Sequence, residues 1–430
     1  MSIALSLMLF FMVVTSLLGM PIGLSLIGSG MLYLMISGRD IGLAAEQTLN
    51  GTWSTFIILA VPLFIFAARI MNAGSITDRL LSLALMSVGR LRGGLAHVNI
   101  VASVIFSGMS GSAVADASGM GYILVRMMTK GNRYPPGYAN AITATSSTIG
   151  PIIPPSIPMI LYALVSGTSI GALFLGGVIP GILMALSLGV VVWITARARG
   201  FPREEPTPWR AIPRQLGRSI LPLLTPAILL GGIYSGIFTP TEAAAVAGLY
   251  ALVLTVFVYR EQGPRELYAV LKDTAVASAV AMLVVSGAFI FNYAVTIEQV
   301  PARIAAWMGG LDMSATAFML FLTVIFLLLG AFFTTTTILL VVVPLVLPAV
   351  QLYGIDLVHF GVVVVVNAMI GLVTPPYGVL LFILSGLTDT PVGKIIKESW
   401  PFMGALIVAL VLMAIFPEIV LWLPRQFGYR

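Results

Sequence analysis

Four clusters of small polar residues or prolines interrupt apolar stretches of this 430-residue chain. Ser107-Gly108-Met109-Ser110-Gly111-Ser112 is followed four residues later by Asp116, and Thr334-Thr335-Thr336-Thr337 forms a second hydroxyl-rich group. The other two are proline breaks: Ile149-Gly150-Pro151-Ile152-Ile153-Pro154-Pro155-Ser156-Ile157-Pro158 and Ile370-Gly371-Leu372-Val373-Thr374-Pro375-Pro376. Each proline removes a backbone donor and clashes with a preceding carbonyl, so a helix must open there and its freed carbonyls need a partner. Hydroxyls facing freed carbonyls supply several oxygens at close range, which suits Na+, a hard cation that needs no dedicated carboxylate. Unwound carbonyls coordinate sodium in broken-helix transporters, and half-helix N-termini favour an anionic group. Plainer readings stand beside this one: a Pro-Pro kink, small-residue helix packing around Ser107 to Ser112, and threonines bonded back to their own helix.

Few ionisable residues add to that chemistry. A carboxylate within an apolar segment is costly and marks a functional site by default, so Asp116 is a functional-site candidate, with a helix-capping or hydrogen-bonded structural role as the alternative. Glu242, in Thr239-Pro240-Thr241-Glu242, reads as an N-terminal helix residue at the outer surface. His97 and His359 lie far apart near segment ends and read as packing residues. Gly108-Met109-Ser110-Gly111 also fits the G-x-S-G of intramembrane serine proteases, which need a histidine base. His359 would then have to reach Ser110 from the opposite half, and the threonine tip would have no role.

Positioning these groups requires membrane helices. Of the residues, 59% are hydrophobic and 9% charged, against about 45–50% and about 25% in soluble proteins. Such a chain cannot build a water-facing surface. At roughly 20 residues per span, ten to twelve spans fit. The net charge of +6 reads as the basic bias of cytoplasmic loops, not as a nucleic-acid surface. Without cysteine there are no disulfides, thiolate metal sites or cysteine nucleophiles. Residues 2–19 carry no basic n-region or cleavage site and are expected to form a first span, not a removable signal.

Apolar segments fall at about 3–19, 21–37, 51–72, 93–128, 138–165, 172–195, 220–238, 241–258, 274–295, 314–350, 360–385 and 400–424. Segments 93–128 and 314–350 are too long for one span and are broken at their polar centres. They read as re-entrant hairpins, whose tips must be buried in protein or line a cavity. The polar stretch 196–219, with Arg197, Arg199, Arg203, Arg210, Arg214 and Arg218 against Glu204 and Glu205, is placed in the cytoplasm. Counting outward puts Arg69, Arg79, Arg90, Arg92, Arg126, Lys130, Arg133, Arg260, Arg265, Lys272, Lys394 and Lys397 on the same side. Only Arg39, Arg303, Arg425 and Arg430 fall outside, so 18 of the 22 basic residues are expected within the cell.

The linker divides two halves that resemble each other: 1–195 is a first repeat, with its hairpin at about 93–128, and 220–430 a second, with its hairpin at about 314–350. Ile149-Gly150, Pro154-Pro155 and Pro180 recur as Ile370-Gly371, Pro375-Pro376 and Pro401. Gly108 to Ser112 and Gly330 to Thr334 fall near the same offset, as do Phe64-Ile65-Phe66 and Phe289-Ile290-Phe291. Five spans plus a hairpin in each half force the second copy to run upside down. That is an inverted-topology repeat of the kind that secondary transporters use to build two related states. The fold expected is an all-α polytopic membrane protein.

These residues resemble a known family. Ser107 to Asp116, Ile149 to Ser156, the matching Gly371 to Pro376 segment and the chain length are similar to the large permease subunit of tripartite ATP-independent periplasmic (TRAP) transporters, across essentially the whole chain. The resemblance implies a multi-pass protein of the bacterial or archaeal inner membrane, not an enzyme. It implies an elevator-type member of the ion-transporter superfamily with a scaffold and a mobile domain carrying both hairpins. The implied partners are a small four-helix membrane subunit, here a separate chain because none precedes Met1, and a periplasmic substrate-binding protein. That protein would deliver an organic anion such as a C4-dicarboxylate, a sialic acid or a sugar acid, for import with sodium.

Carried over by motif, one Na+ site falls on Ser110, Ser112, Gly150, Ile153 and Pro155. The other falls on Thr334 or Thr336 with Gly371, Thr374 and Pro376. Asp116, Ser107 and Thr335 fall to the substrate. A stand-alone ion-coupled anion carrier or exchanger is the alternative. No phosphate-binding glycine loop is present, and the scarcity of ionisable groups favours sodium held by carbonyls and hydroxyls over a proton relay.

Overall fold

The computed structural model describes residues 2–53, 56–72, 76–205 and 212–429. Arg210, counted among the linker arginines, lies outside them. Every regular element among the described residues is helical. In chain order they are α1 (Ile3–Leu17), α2 (Ile22–Ile36), α3 (Gly42–Trp53), α4 (Ala60–Asn72), α5 (Ile76–Val88), α6 (Gly94–Ser110), α7 (Ala113–Asp116), α8 (Tyr122–Thr129), α9 (Pro136–Ser147), α10 (Ile157–Ser166) and α11 (Ile170–Arg199). The second half holds α12 (Ile212–Tyr234), α13 (Pro240–Val253), α14 (Pro264–Ile297), α15 (Val300–Gly309), α16 (Ala315–Gly330), α17 (Thr335–Thr337), α18 (Val343–Leu352), α19 (Leu357–Gly371), α20 (Val379–Thr388), α21 (Val392–Ile415) and α22 (Glu418–Gln426).

Six helical stretches among the described residues are long and apolar enough to cross a membrane: 170–199, 212–234, 240–258, 264–297, 335–352 and 392–415. Seven further apolar helices have 10–17 residues. Several expected spans are therefore divided or displaced. Segment 138–165 is two helices, α9 and α10, separated by the proline run, and 360–385 is likewise α19 and α20. The last span starts at Val392 instead of 400 and stops at Ile415, and a separate α22 follows from Glu418, with Pro417 at its N-cap. Lys394, Lys397 and Glu398 lie in its opening turns, where a purely apolar window cannot find them. The 34-residue α14 likewise extends well before 274. Neither α5 nor α15 was expected, because short amphipathic helices carry no span-length signal.

Both polar-tipped segments fold back on themselves. α6 ends at Gly111 in the left-handed region (φ +58°), and Ser112 then caps α7 by accepting a hydrogen bond from the Ala115 N–H. The returning arm brings Met128 to Asn99 of α6, with the Asn99 amide nitrogen 3.9 Å from the sulfur. In the other half, Phe318 at the start of α16 stacks on Tyr353 just beyond α18, ring centroids 4.0 Å apart. Thr334 caps the second returning arm as Ser112 caps the first. Each arm contains a π-turn just past its tip, at Ala117–Gly121 and Ile338–Val342, 221 residues apart. The peptide bonds Pro154-Pro155 and Pro375-Pro376 are both cis at the same spacing.

Two packing groups position these hairpins. α14 lies against α2, α3 and α4, with α13 on α4 and α1 on α2. The first hairpin packs through α6 and α8 on α9, which also meets α20 and α21, while α16 packs on α19 and α11 on α21 and α22. Tyr134, Tyr138, Phe201 and Phe402 form an aromatic cluster where the first hairpin, α9, α11 and α21 converge. Around it Arg199 pairs with Glu398 at 2.8 Å and Arg133 pairs with Glu204, which ties the start of the linker to the bundle.

Candidate functional site

The first tip is built on a contact between two side chains of one short turn. The Ser110 hydroxyl donates to Asp116 Oδ1, and the Ser112 N–H lies 3.4 Å from the same hydroxyl oxygen. Asp116 is 2% exposed and Ser110 equally so, so the carboxylate is held away from solvent. Its second oxygen, Oδ2, is buried and has no hydrogen-bond partner among the described residues. A buried carboxylate oxygen without a partner is expensive.

The proline break meets this tip closely. Gly150 faces Asp116 Oδ2 so nearly that any β-carbon there would collide with it, and Gly111 sits against the Pro155 carbonyl, which a β-carbon would approach to 2.7 Å. Glycine is required at both places, at Gly111 also by its positive φ. Ser156 caps α10, receiving the Met159 N–H at 3.2 Å, and its hydroxyl donates to the Pro151 carbonyl. Of the first expected sodium set, Ser110, Ser112, Gly150 and Pro155 are thus brought together. The Ile153 side chain lies elsewhere, against Gly181 of α11.

Asp116 belongs to this cluster, although the sequence reading placed it with the substrate. Ser107, its companion in that assignment, is fully buried and its hydroxyl bonds back to the Val104 carbonyl at 2.5 Å. A carboxylate oxygen with no partner, a hydroxyl and a proline-freed carbonyl are oxygen donors of the kind a small monovalent cation takes, so these residues fit sodium.

At the second tip, the Thr334 and Thr337 hydroxyls are 2.8 Å apart and Thr334 accepts from the Thr337 N–H. Thr335 Oγ1 is buried and has no partner among the described residues. Gly330 and Gly371 meet backbone to backbone: a β-carbon on Gly371 would lie 2.5 Å from the Gly330 carbonyl oxygen. Just beyond α19, the Thr374 hydroxyl bonds back to the Ile370 carbonyl at 2.8 Å, and Pro376 is exposed.

Some polar residues escaped the sequence reading. Asn367, four residues before Gly371 on α19, is fully buried, and neither of its amide heavy atoms has a partner among the described residues. One asparagine after five consecutive valines was the available signal. Its counterpart region in the first half is satisfied: Asn99 donates to Thr143 at 2.6 Å and accepts from Ser146 at 3.0 Å. Arg69, expected only as a cytoplasmic anchor, lines a cavity of about 500 Å³ together with Ser110, Ser112 and Asp273.

The remaining candidates fall into structural roles. His359 is buried with Nε2 2.8 Å from the Met413 carbonyl, so it does not serve Ser110, whose hydroxyl is committed to Asp116. Glu242 forms a capping box with Thr239 at the start of α13.

An all-helical fold with six span-length apolar helices among the described residues is that of a multi-pass membrane protein, and the family and relatives it matches make it an inner-membrane transport protein. Residues 9–419 match the family model described as "Tripartite ATP-independent periplasmic transporter, DctM component", and the chain belongs to that family. It is 41% identical over 413 residues to the sialic acid TRAP transporter large permease protein SiaM of Vibrio cholerae, covering 96% of each chain. To the C4-dicarboxylate TRAP transporter large permease protein DctM of Pseudomonas aeruginosa it is 36% identical, covering 93% of each. The 2,3-diketo-L-gulonate TRAP transporter large permease protein YiaN of Escherichia coli is 34% identical, with 94% of this chain and 95% of that one covered. Among solved structures, the YdaH transporter of Alcanivorax borkumensis shares the fold with a TM-score of 0.62 over 86% of both chains at 16% identity.

Proposed function

We propose that this chain is the sodium-coupled permease component through which an organic anion, delivered by a periplasmic binding protein, enters the cell. The supporting observation is the Ser110–Asp116–Gly150 cluster, with its unpartnered Asp116 Oδ2, at a tip whose cap, π-turn and facing proline break recur in the other half. One sodium is held at Ser110, Asp116, Gly150 and Pro155, and a second between Thr334 or Thr335, Asn367 and Gly371. Binding orders the tips so that the anion docks beside them. The two halves act as an inverted repeat, and the domain carrying both hairpins slides against a scaffold that a small four-helix membrane subunit extends. The anion is a carboxylate of the classes named for the relatives: a sialic acid, a C4-dicarboxylate or a sugar acid.

The driving force is adequate. One charge crossing 100 mV contributes about 2.3 kcal/mol, and a tenfold sodium gradient adds about 1.4 kcal/mol per ion. Two sodium ions thus supply roughly 7 kcal/mol, and a monoanion returns about 2.3 of it. The remaining roughly 5 kcal/mol sustains accumulation of three to four orders of magnitude.

Proteoliposomes test this reading with radiolabelled N-acetylneuraminate, succinate and 2,3-diketo-L-gulonate. One of these should accumulate under an inward sodium gradient, cease when choline replaces sodium, and require both the small subunit and the binding protein. Sodium-independent uptake would overturn the coupling. Full uptake by the chain alone would make it a stand-alone carrier.

A further inference from the structure

The cavity beside the first tip holds a charge arrangement that sodium coupling leaves unused. Its walls come from α4, α14, the first hairpin and the start of α10, and Ser110, Ser112, Ser118 and Asn72 supply neutral polar groups. Arg69, in the last turn of α4, is the one cation among its described lining residues, and Asp273 of α14 the one carboxylate. They touch through a single long contact, Arg69 Nη1 to Asp273 Oδ2 at 3.4 Å, with side chains 45% and 59% exposed.

Such a pair does little for stability. An exposed monodentate ion pair contributes little in water, and one contact leaves most of the guanidinium's five donors unused. An arginine fork fits a carboxylate with two parallel hydrogen bonds, so an entering carboxylate bonds better than Asp273 does here. A cavity whose single cation is neutralised by its own neighbour also has no net charge to hold an anion permanently.

We propose that Arg69 is the counter-ion of the substrate carboxylate in this cavity, and that Asp273 competes for the same guanidinium and so drives release. The proposal rests on the organic-anion reading above and adds to it a binding residue and a release device. With substrate present, Arg69 takes the carboxylate bidentately beside Ser110 and Ser112, and Asp273 is left to water. When the anion leaves, the Arg69–Asp273 contact re-forms and rebinding is disfavoured. The sodium cluster lies against the same tip, since Ser110 belongs to both the cavity wall and the Asp116 contact. Loss of sodium from it therefore bears directly on the surface the anion touches.

The test uses the assembled transporter in proteoliposomes and whichever of N-acetylneuraminate, succinate and 2,3-diketo-L-gulonate the native chain carries. Arg69→Gln should raise KM for that anion about tenfold or more, as loss of a charge-assisted bidentate contact does, while half-saturation by sodium stays unchanged. Arg69→Lys should recover part of the loss. Asp273→Asn should lower both KM and kcat by about threefold, the signature of tighter holding and slower release. The charge-swapped double variant Arg69→Asp with Asp273→Arg should remain as impaired as Arg69→Gln. A native KM in Arg69→Gln, or full recovery in the swapped variant, would reduce the pair to a structural bridge and overturn the proposal. Sodium-independent uptake by the native chain would strike the coupled-transport reading and leave the Arg69 assignment standing on its KM.

Discussion

Ser110 and Asp116 are joined by a hydrogen bond across the turn of the first hairpin, with the carboxylate's other oxygen directed at Gly150 on a different helix break. Tip and broken helix thus share one carboxylate. The geometry of either depends on the other, and a cation drawn to the free oxygen would clamp both.

Removing the hydroxyl should loosen that clamp without unfolding the tip. Ser110→Ala deletes one buried hydrogen bond to a charged group, worth about 1.5–3 kcal/mol, which corresponds to a roughly ten- to hundredfold rise in the sodium concentration for half-maximal uptake. Membrane abundance should be near native. Normal transport by this variant at limiting sodium would remove Ser110 from the site.

Asp116→Asn keeps the volume and removes the charge. Sodium-dependent uptake should be nearly abolished, while the purified protein melts at the native temperature or above it, because a buried carboxylate oxygen with no partner is costly. A strong fall in melting temperature would instead make Asp116 a structural element of the hairpin.

Two glycines separate close approach from mere presence. Gly371→Ala places a β-carbon against the Gly330 carbonyl, an overpacking that costs about 1–3 kcal/mol, and should visibly lower the melting temperature in detergent. Gly404→Ala, within α21 and with open space at its β-carbon, should be neutral or stabilising by up to about 1 kcal/mol. Equal effects would mean that the backbone contact of Gly330 with Gly371 is not tight.

The N-terminal helix should respond to acid. Glu298 Oε1 accepts from the Ser2 hydroxyl at 2.6 Å and from the Tyr33 hydroxyl at 3.2 Å, and the Ser2 hydrogen bond is the main reason the Glu298 carboxyl is held below its ordinary value of 4.5. A carboxyl whose pKa is lowered by folding stabilises above its unfolded value, and that contribution is lost as pH falls through the lowered one. Amide exchange over residues 3–17, corrected for its intrinsic pH dependence, should therefore be native-like at pH 6 and accelerate below about pH 4. Glu298→Gln should show the faster exchange at both.

The parts legible in the sequence were those whose signal is local. A glycine-serine or threonine tip, a Pro-Pro break and a Thr-Pro-x-Glu cap each declare themselves within a few residues, and α6, α7, α10, α13 and the second tip fall where these stand. Asn367 and Arg69 were missed because their meaning comes from distant helices. Nothing near Arg69 distinguishes an anchor at a membrane edge from the wall of a cavity closed by α14. At Ile153 and Thr374 the motif names a position and not an atom: the Ile153 side chain packs on Gly181, and the Thr374 hydroxyl bonds back to the Ile370 carbonyl. Motif transfer locates a turn more safely than it assigns the atoms within it.

The π-turns behind the tips carry a further consequence. A turn of this kind takes in one residue more than an α-turn, so each arm beyond it is rotated by about 100° from the course of an uninterrupted helix. In the first arm this supernumerary residue aims Leu124, Val125 and Met128 into the protein interior. Deleting any one residue of 117–121 would restore regular winding and turn that apolar stripe toward a different neighbour. Phase along the arm, not composition, is what the inserted residue encodes.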